Sequence, residues 1–428
     1  MKVKALKGFK DIVPDEVDIY RFIEETARDI FRRFEFREIR VPILEKTDLF
    51  VRSLGAATDI VEKEMYTFSD RNGDSVTMRP EGTASVLRAY IEQGLYTAKP
   101  LQKLYTIGPM FRHERPQKGR LRQFHQISVE AVGLDHPRID AEVMAMSWYL
   151  LTSLDLSARL EINSLGCPEC RPEFNRALRQ FLNQCDSICD DCERRRDYNP
   201  LRVLDCKNEN CREQYRQAPL IIQHLCPECS DHFRAVEESL SLLRIPYTVN
   251  SFMVRGLDYY CRTTFELITD DLGAQSAVGA GGRYDGLVGE LGGPDVPGLG
   301  FAMGIERLAL LLSEKDSRPG KTRTDLFIAA LGPKAQDMAF PVTYYLREKG
   351  LAVAMDVMDR SLKSQMKQAD RAKADFVLIV GEEEFEKGEA RLRDMRTRDQ
   401  AALAIKSDPA EWGDDIMEAV GGEKFEIL

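Results

Sequence analysis

At 428 residues the chain exceeds what one hydrophobic core usually organises, so two or three domains are expected, with burial ample for stability without crosslinks. Composition is ordinary globular, and a net charge of -10 argues against wholesale neutralisation of a polyanion, so any nucleic acid must be met by local patches. The start, MKVKALKGFKDIVP, has no apolar h-region and no run approaches a membrane span, which predicts a cytoplasmic protein with no membrane contact.

Residues 16 to 34 carry Val17, Tyr20, Ile23, Ala27, Ile30 and Phe31 at helical spacing. REIRVPILE follows as a strand whose Pro42 removes a ladder donor and suits an edge, a bulge or a strand end. SVTMRPEGTASVLRAYI reads as strand, turn and helix, with Thr83 as candidate N-cap and Glu81 in the turn, where a carboxylate could recognise an amine or simply be solvated. From Leu104 to Gly133 the chain predicts a hairpin. Alternation places Arg112 and Glu114 opposite Phe111 and His113, and sets Phe124, Gln126, Ser128 and Glu130 on one face, with a basic turn from Arg115 to Arg120. A cation, a carboxylate and a ring on one surface make a plausible nucleotide platform; a solvated face is the alternative.

A helix near Ala141 to Ser153 and a strand at ARLEINSLG precede an abrupt change of composition: nine of the ten cysteines lie between Cys167 and Cys229. Without a secretion signal, metal or redox roles come before disulfides. The C-x2-C spacing brings two thiolates to one tetrahedral ion, so two zinc sites are arithmetically possible: an inner one from Cys189, Cys192, Cys206 and Cys211, and an outer one from Cys167, Cys170, Cys226 and Cys229 that would clamp the ends of an inserted domain. Reduced structural cysteines are the alternative.

From Phe252 the sequence reads as strand again through MVRGLDYYCRTTFELIT, followed by the glycine-rich AVGAGGRYDGLVGELGG, whose glycines permit tight turns and close approach to a ligand. Neither a Walker string nor the dinucleotide spacing is present. GIERLALLL predicts an apolar helix with Arg307 near its start. SEKDSRPGKTRT reads as a linker, and DLFIAAL, LAVAMDV and DFVLIV separated by helical patterns predict a small α/β domain with a largely parallel sheet, one of whose helices would carry a basic stripe of Arg360, Lys363, Lys367 and Arg371.

In this order the pieces resemble, end to end, the histidyl-tRNA synthetases, class II aminoacyl-tRNA synthetases of bacterial type. The strand with Pro42 is similar to class II motif 1, MFRHERPQKGRLRQFHQ to motif 2 and GFAMGIERL to motif 3, while VRGLDYY and AGGRYDGL are characteristic of the histidine-specific branch. The resemblance implies an α+β catalytic domain, an antiparallel sheet flanked by helices, in two parts at 1–166 and 235–320. It also implies a homodimer built around motif 1, a cysteine-rich insertion at 167–234 and a C-terminal α/β anticodon-binding domain at 325–428. The cysteines are absent from many members, so zinc rests on spacing alone.

The implied reaction joins L-histidine to ATP, with Mg2+, and passes the histidyl group to histidine tRNA. Carried onto this chain, the resemblance places Arg112 and Arg255 at the α-phosphate, Glu114 at the adenine amine and Phe124 against the adenine ring, with Arg120 and Arg307 on the outer phosphates. It gives Glu81 and Thr83 the substrate ammonium, Gln126 the carboxylate, Glu130 with Tyr259 and Tyr260 the imidazole, and Arg115 and Gln117 the tRNA acceptor end. The basic stripe would meet the tRNA backbone. A noncatalytic synthetase-like regulator is the nearest rival; such proteins commonly lose the motif arginines and lack the C-terminal domain.

Overall fold

The structure is a computed structural model and describes residues 3–55, 58–186, 188–271, 277–315 and 324–421. The chain divides into two units, residues 1–320 and 321–428. Of the linker read at 313–324, residues 316–323 lie outside the described residues. None of the described helices is long and apolar enough to cross a membrane.

Unit 1 carries, in chain order, β1 (Arg37–Glu38), β2 (Leu44–Lys46), β3 (Tyr66–Ser69), β4 (Ser75–Met78), β5 (Gln102–Phe111), β6 (Gln123–Val132), β7 (Arg159–Ser164), β8 (Tyr247–Val249), β9 (Cys261–Ile268), β10 (Ala277–Arg283) and β11 (Gly298–Gly304). Eight of these form one sheet in the order β1-β5-β6-β11-β10-β9-β7-β8. The six inner strands are antiparallel, and the short edge strands β1 and β8 pair in parallel. REIRVPILE, read as one strand, is two short strands in different sheets, β1 and β2, with Pro42 between them, where no ladder donor is needed. β2, β4 and β3 form a separate small sheet.

The predicted hairpin is β5 and β6, paired from Gln102↔Val132 to Phe111↔Gln123. Its apolar face, Ile127, Val129 and Ala131, enters the main core together with the helix Pro14–Arg33. That helix begins at Pro14, carries Asp15 and Glu16 in its first turn and Arg32 and Arg33 in its last, as its dipole favours, and buries Ile19, Ile23, Ala27, Ile30 and Phe31. The other face of β6 is polar and faces away from this core.

Two sequence readings change here. VRGLDYY is not strand: β9 starts only at Cys261, and Val254–Tyr260 is irregular, held by contacts from the cysteine-rich region rather than by a ladder. The glycine-rich sequence divides: Ala277–Arg283 and Gly298–Gly304 are strands, where the glycines allow close approach, while Leu287–Glu290 is a short helix that ends in a turn at Gly292. Gly298 and Gly300 are small because a Cβ there would lie 2.1 Å from the Tyr284 ring and 2.1 Å from the Glu130 carboxylate.

In unit 2 the strands are β12 (Leu326–Ala330), β13 (Val353–Met355), β14 (Phe376–Val380), β15 (Glu389–Asp394) and β16 (Gln400–Ala404), in the order β13-β12-β14-β15-β16. The three expected strands pair in parallel, but β14, β15 and β16 are antiparallel, so the sheet is mixed rather than largely parallel. β16 is mostly exposed and polar in part, and carried too weak an alternation to be seen. The basic stripe is also shortened. The helix spans Leu362–Arg371 with Lys363, Lys367 and Arg371 exposed, whereas Arg360 precedes it and pairs with Asp356 at 3.2 Å.

Beneath the cysteine-rich region Arg283 and Asp140, both fully buried, meet at 2.9 Å. Thr263 Oγ1 donates to the same carboxylate at 3.0 Å, and His232 Nε2 lies 2.5 Å from it. Removing one member strands a buried charge. Asp140→Ala should therefore cost about 3–5 kcal/mol, against less than about 0.5 kcal/mol for Glu213→Ala in the exposed pair with Arg216. Urea denaturation of both variants checks this; equal small shifts would refute it.

Candidate active site

The polar face of β6 forms the floor of a cleft of about 380 Å³. Across the ladder, Gln126 is opposite Gly108 and Gly304, Ser128 is opposite Thr106 and Ala302, and Glu130 is opposite Gly300. Small neighbours on both sides of Gln126 and Ser128 leave room above them, whereas Glu130 lies between Gly300 and Leu104. The walls come from the β5–β6 loop, the turn before the helix Thr83–Glu92, the irregular segment 254–260, and the start of the helix Ile305–Ser313.

Of the residues singled out in the sequence, Glu81, Thr83, Arg112, Glu114, Arg120, Phe124, Gln126, Arg255, Tyr259, Tyr260 and Arg307 all line this cleft. Glu130 does not open onto it. It is fully buried beneath the floor, where Thr83 Oγ1 donates to it at 2.7 Å and Tyr284 Oη also donates. Arg115 and Gln117 are exposed on the loop, outside the cleft.

Local folding explains these placements. β5 ends at Phe111, so Arg112 and Glu114 are not strand residues; the Arg112 N–H still donates to Arg122 O at 2.8 Å and extends the hairpin by one rung. Arg112 Nε donates to Pro80 O at 2.8 Å, and its guanidinium lies 5.5 Å from the Phe124 ring centroid. Glu114 forms an ion pair with Arg120 across the loop. Thr83 is the first helical residue rather than the N-cap. Glu81 does the capping, accepting from the Thr83 N–H at 2.6 Å and the Ala84 N–H at 2.8 Å. That frees the Thr83 hydroxyl for Glu130.

The cleft is strongly cationic at one end. Burial lowers the pKa of Arg307, and the charges of Arg120 and Arg112 lower it further, with Glu266 opposing. Burial also lowers that of Arg112, against Glu64 and Glu81. Arg255 Nη1 is 2.5 Å from Glu266, its guanidinium lies 5.3 Å from the Tyr260 ring centroid, and its buried Nε has no partner among the described residues. Repelling guanidiniums and an unused buried donor are arranged for an anion with several oxygens.

The other end is acidic and aromatic. Burial raises the pKa of Glu81, outweighing its two backbone donors. Burial pushes the Glu130 carboxyl up to about 8; the Tyr284 and Thr83 hydrogen bonds oppose this, and nearby Glu81 adds to it. Tyr259 and Tyr260 pack with ring centroids 4.6 Å apart, and Tyr259 meets Tyr284 edge-on at 5.8 Å.

Residues 8–308 match the family model for histidyl-tRNA synthetase, and residues 325–410 match that of the anticodon binding domain. The chain belongs to the histidyl-tRNA synthetase family. Among its relatives, the histidine–tRNA ligase of Desulfotalea psychrophila is 58% identical, over 95% of this chain and 94% of that protein. That of Geobacter metallireducens is 55% identical, over 94% and 97%. The crystal structure of apo histidyl-tRNA synthetase from S. aureus is 36% identical, with a TM-score of 0.80 over 96% of this chain and 100% of that one. The sheet and the appended α/β unit are those of this class II synthetase family.

Several cleft residues of this synthetase had no role assigned from the sequence. Tyr284 and Glu306 stand inside the strings AGGRYDGL and GIERL. Glu306 accepts from the His125 N–H at 2.8 Å and so fixes the end of β6 beside Phe124. Glu64, Asp59 and Arg202 also line the cleft, and no motif marked them.

The eight cysteines gather in the two tetrads drawn from their spacing, each with its four sulfurs within 4.8 Å of one another. Cys167 Sγ is 3.7 Å from Cys170 Sγ and 3.8 Å from Cys226 Sγ, and Cys189 Sγ is 3.7 Å from Cys206 Sγ. A metal–sulfur bond of about 2.3 Å gives a tetrahedron edge of about 3.8 Å. Backbone N–H groups of Cys226 and Cys189 donate to Cys170 and Cys211 at 3.1 and 3.2 Å.

Because the folded pKa of Glu130 lies above its ordinary 4.5, the native protein keeps a proton that the unfolded chain has released. Stability from the neutral carboxyl is complete below about pH 4.5 and lost as pH rises through about 8. Urea midpoints at pH 5 and 8.5 should fall more in the native sequence than in Glu130→Gln; parallel falls would refute the assignment.

Proposed function

We propose that this protein is a histidine–tRNA ligase, and that the carrying observation is one cleft with a cluster of arginines at one end and a Glu–Tyr pocket at the other. The magnesium complex of ATP and L-histidine are its substrates. A carboxylate oxygen of histidine attacks the α-phosphorus, the bond to the bridging oxygen breaks, and magnesium pyrophosphate leaves. The 3′-terminal ribose hydroxyl of histidine tRNA then attacks the histidyl carbonyl, and AMP departs.

Arg112 and Arg255 take the α-phosphate, where negative charge grows as the new bond forms; fixed guanidiniums in a partly desolvated cleft stabilise it without reorganising. Arg120 and Arg307 hold the outer phosphates and Phe124 stacks on adenine. Glu114 accepts from the adenine amine once Arg120 turns from it to the phosphates. Glu81 and Thr83 receive the ammonium, and Gln126 faces the carboxylate. Tyr259 and Tyr260, with Glu130 beneath and Tyr284 linking it to the cleft, surround the imidazole. Buried polar groups that an isostere leaves unpaired give the pocket its selectivity.

Arg115 and Gln117 on the exposed loop meet the acceptor end of the tRNA, and residues 325–428 bind the anticodon, with Lys363, Lys367 and Arg371 as backbone contacts. Residues 1–166 and 235–320 act as the catalytic domain and 167–234 as its insertion. Exposed Ile43, Leu44 and Phe68 on and beside the small sheet support a homodimer built there. The enzyme works in the cytoplasm.

Zinc is the ion we assign to both cysteine tetrads. It supplies structure, closing loops that are too polar to close themselves. Metal analysis of purified protein should give two zinc ions per chain, and one in Cys167→Ser. Absence of metal with ten titratable thiols would sink the assignment.

Arg112→Ala and Arg255→Ala should each slow histidine-dependent pyrophosphate exchange by at least about a hundredfold in a folded protein. No other amino acid should support exchange. Near-normal rates in either variant would remove that arginine from the mechanism.

A further inference from the structure

The segment between the two inner cysteine pairs reaches the catalytic cleft. It comprises the helix Asp190–Tyr198 and a 3-10 turn, Pro200–Asp205, closed at its ends by Cys189, Cys192, Cys206 and Cys211. Arg202 Nη1 donates to Gly256 O at 2.7 Å, and Asn199 Nδ2 donates to Asp258 Oδ1 at 2.7 Å. Arg202 also approaches Asp59 Oδ2 at 3.5 Å, and Arg195 approaches the same oxygen at 3.5 Å. Asp59 begins the stretch that leads to Glu64 in the cleft wall. Arg171, next to Cys170 of the outer tetrad, donates to Tyr260 O.

Gly256 and Asp258 belong to the irregular loop that carries Arg255, Tyr259 and Tyr260. Lacking a ladder, the loop needs outside partners: Glu266 of β9 and Tyr284 meet the Arg255 and Tyr259 side chains, and the cysteine-rich region holds Gly256 O, Asp258 and Tyr260 O. Val254 and Tyr260 are moreover buried in the same apolar cluster as Cys192, Cys206 and Cys211. Closing a loop with an ion limits the conformations of what it encloses, here the turn that bears Asn199 and Arg202.

We propose that Arg202 and Asn199 are positioning residues for histidine recognition, and that the inner tetrad clamps the loop 254–260 in its productive geometry through them. The proposal rests on the ligase reading for its kinetic consequence, but its structural consequence is independent of it. Small displacements of a binding loop are expensive, because the groups that read the substrate must converge within tenths of an ångström.

The test uses the full-length protein. Arg202→Ala should raise KM for histidine at least about tenfold in pyrophosphate exchange. The rate at saturating substrates should fall as well, because Arg255 rides on the same loop, while the metal content stays as in the native sequence. Arg202→Lys, whose ammonium can still donate to Gly256 O, should recover most of the loss. Amide hydrogen exchange of peptides covering 254–260 should quicken in Arg202→Ala, and also in Cys206→Ser, which removes the inner ion and leaves the outer one. Unchanged amide exchange of 254–260 in both variants overturns the clamp, and so does a native KM for histidine in Arg202→Ala. If the native protein shows no histidine-dependent pyrophosphate exchange, the ligase reading has failed, while the hydrogen-exchange comparison still decides the clamp.

Discussion

The register of β6 between β5 and β11 is the constraint on which the site depends. Because strand side chains alternate, one offset places Ile127, Val129 and Ala131 in the core and turns Gln126, Ser128 and Glu130 to the cleft side, Gln126 on the floor and Ser128 and Glu130 buried beneath it. A slip of one residue would bury the polar set and expose the apolar one. The same register sets Gly108, Gly300 and Gly304 beside Gln126 and Glu130, so the cavity is carved by missing side chains as much as lined by those present. Glu306, bonded to the His125 N–H, ties the end of this strand to the helix that presents Arg307. Cation and floor therefore move as one piece.

Electrostatics gives the cleft two characters. Guanidiniums that disfavour one another are kept together by backbone acceptors, Pro80 O for Arg112 and Ala277 O for Arg307, and by carboxylates such as Glu266. At the opposite end desolvation favours a neutral Glu130. A chain with a net charge of -10 thus concentrates positive potential in one partly closed space, where it acts at short range and is little screened by salt. The buried Arg283–Asp140 pair lies one residue from Tyr284 and draws in His232 of the helix Pro227–Leu242, which begins at the outer tetrad. The cysteine-rich region is consequently wired into the catalytic sheet at two places, here and at the loop 254–260.

Much of this was legible in the residues. Period-two alternation in the hairpin and period-3.6 spacing in the first helix carry enough signal to name both elements and their core faces. Eleven of the residues singled out in the sequence line one cleft, and cysteine spacing alone drew both tetrads. The readings that changed share a cause. VRGLDYY looks like strand by its apolar and aromatic content, but its conformation is decided by Arg171, Asn199 and Arg202, far away in sequence. Thr83 looks like a cap until Glu81 takes the backbone donors.

The sequence by itself determined which residues are chemical, which faces are apolar, and which thiols can share an ion, since these follow from side-chain identity and from local periodicity. Only the tertiary structure decided which polar groups neutralise one another: Glu130 under Tyr284 rather than in the open cleft, Glu114 against Arg120, Arg360 against Asp356, and Arg202 at the rim of the site. Burial and partnership fix the charge state and reach of each group. Both depend on segments that the fold brings together from opposite ends of a domain, and no local pattern encodes that meeting.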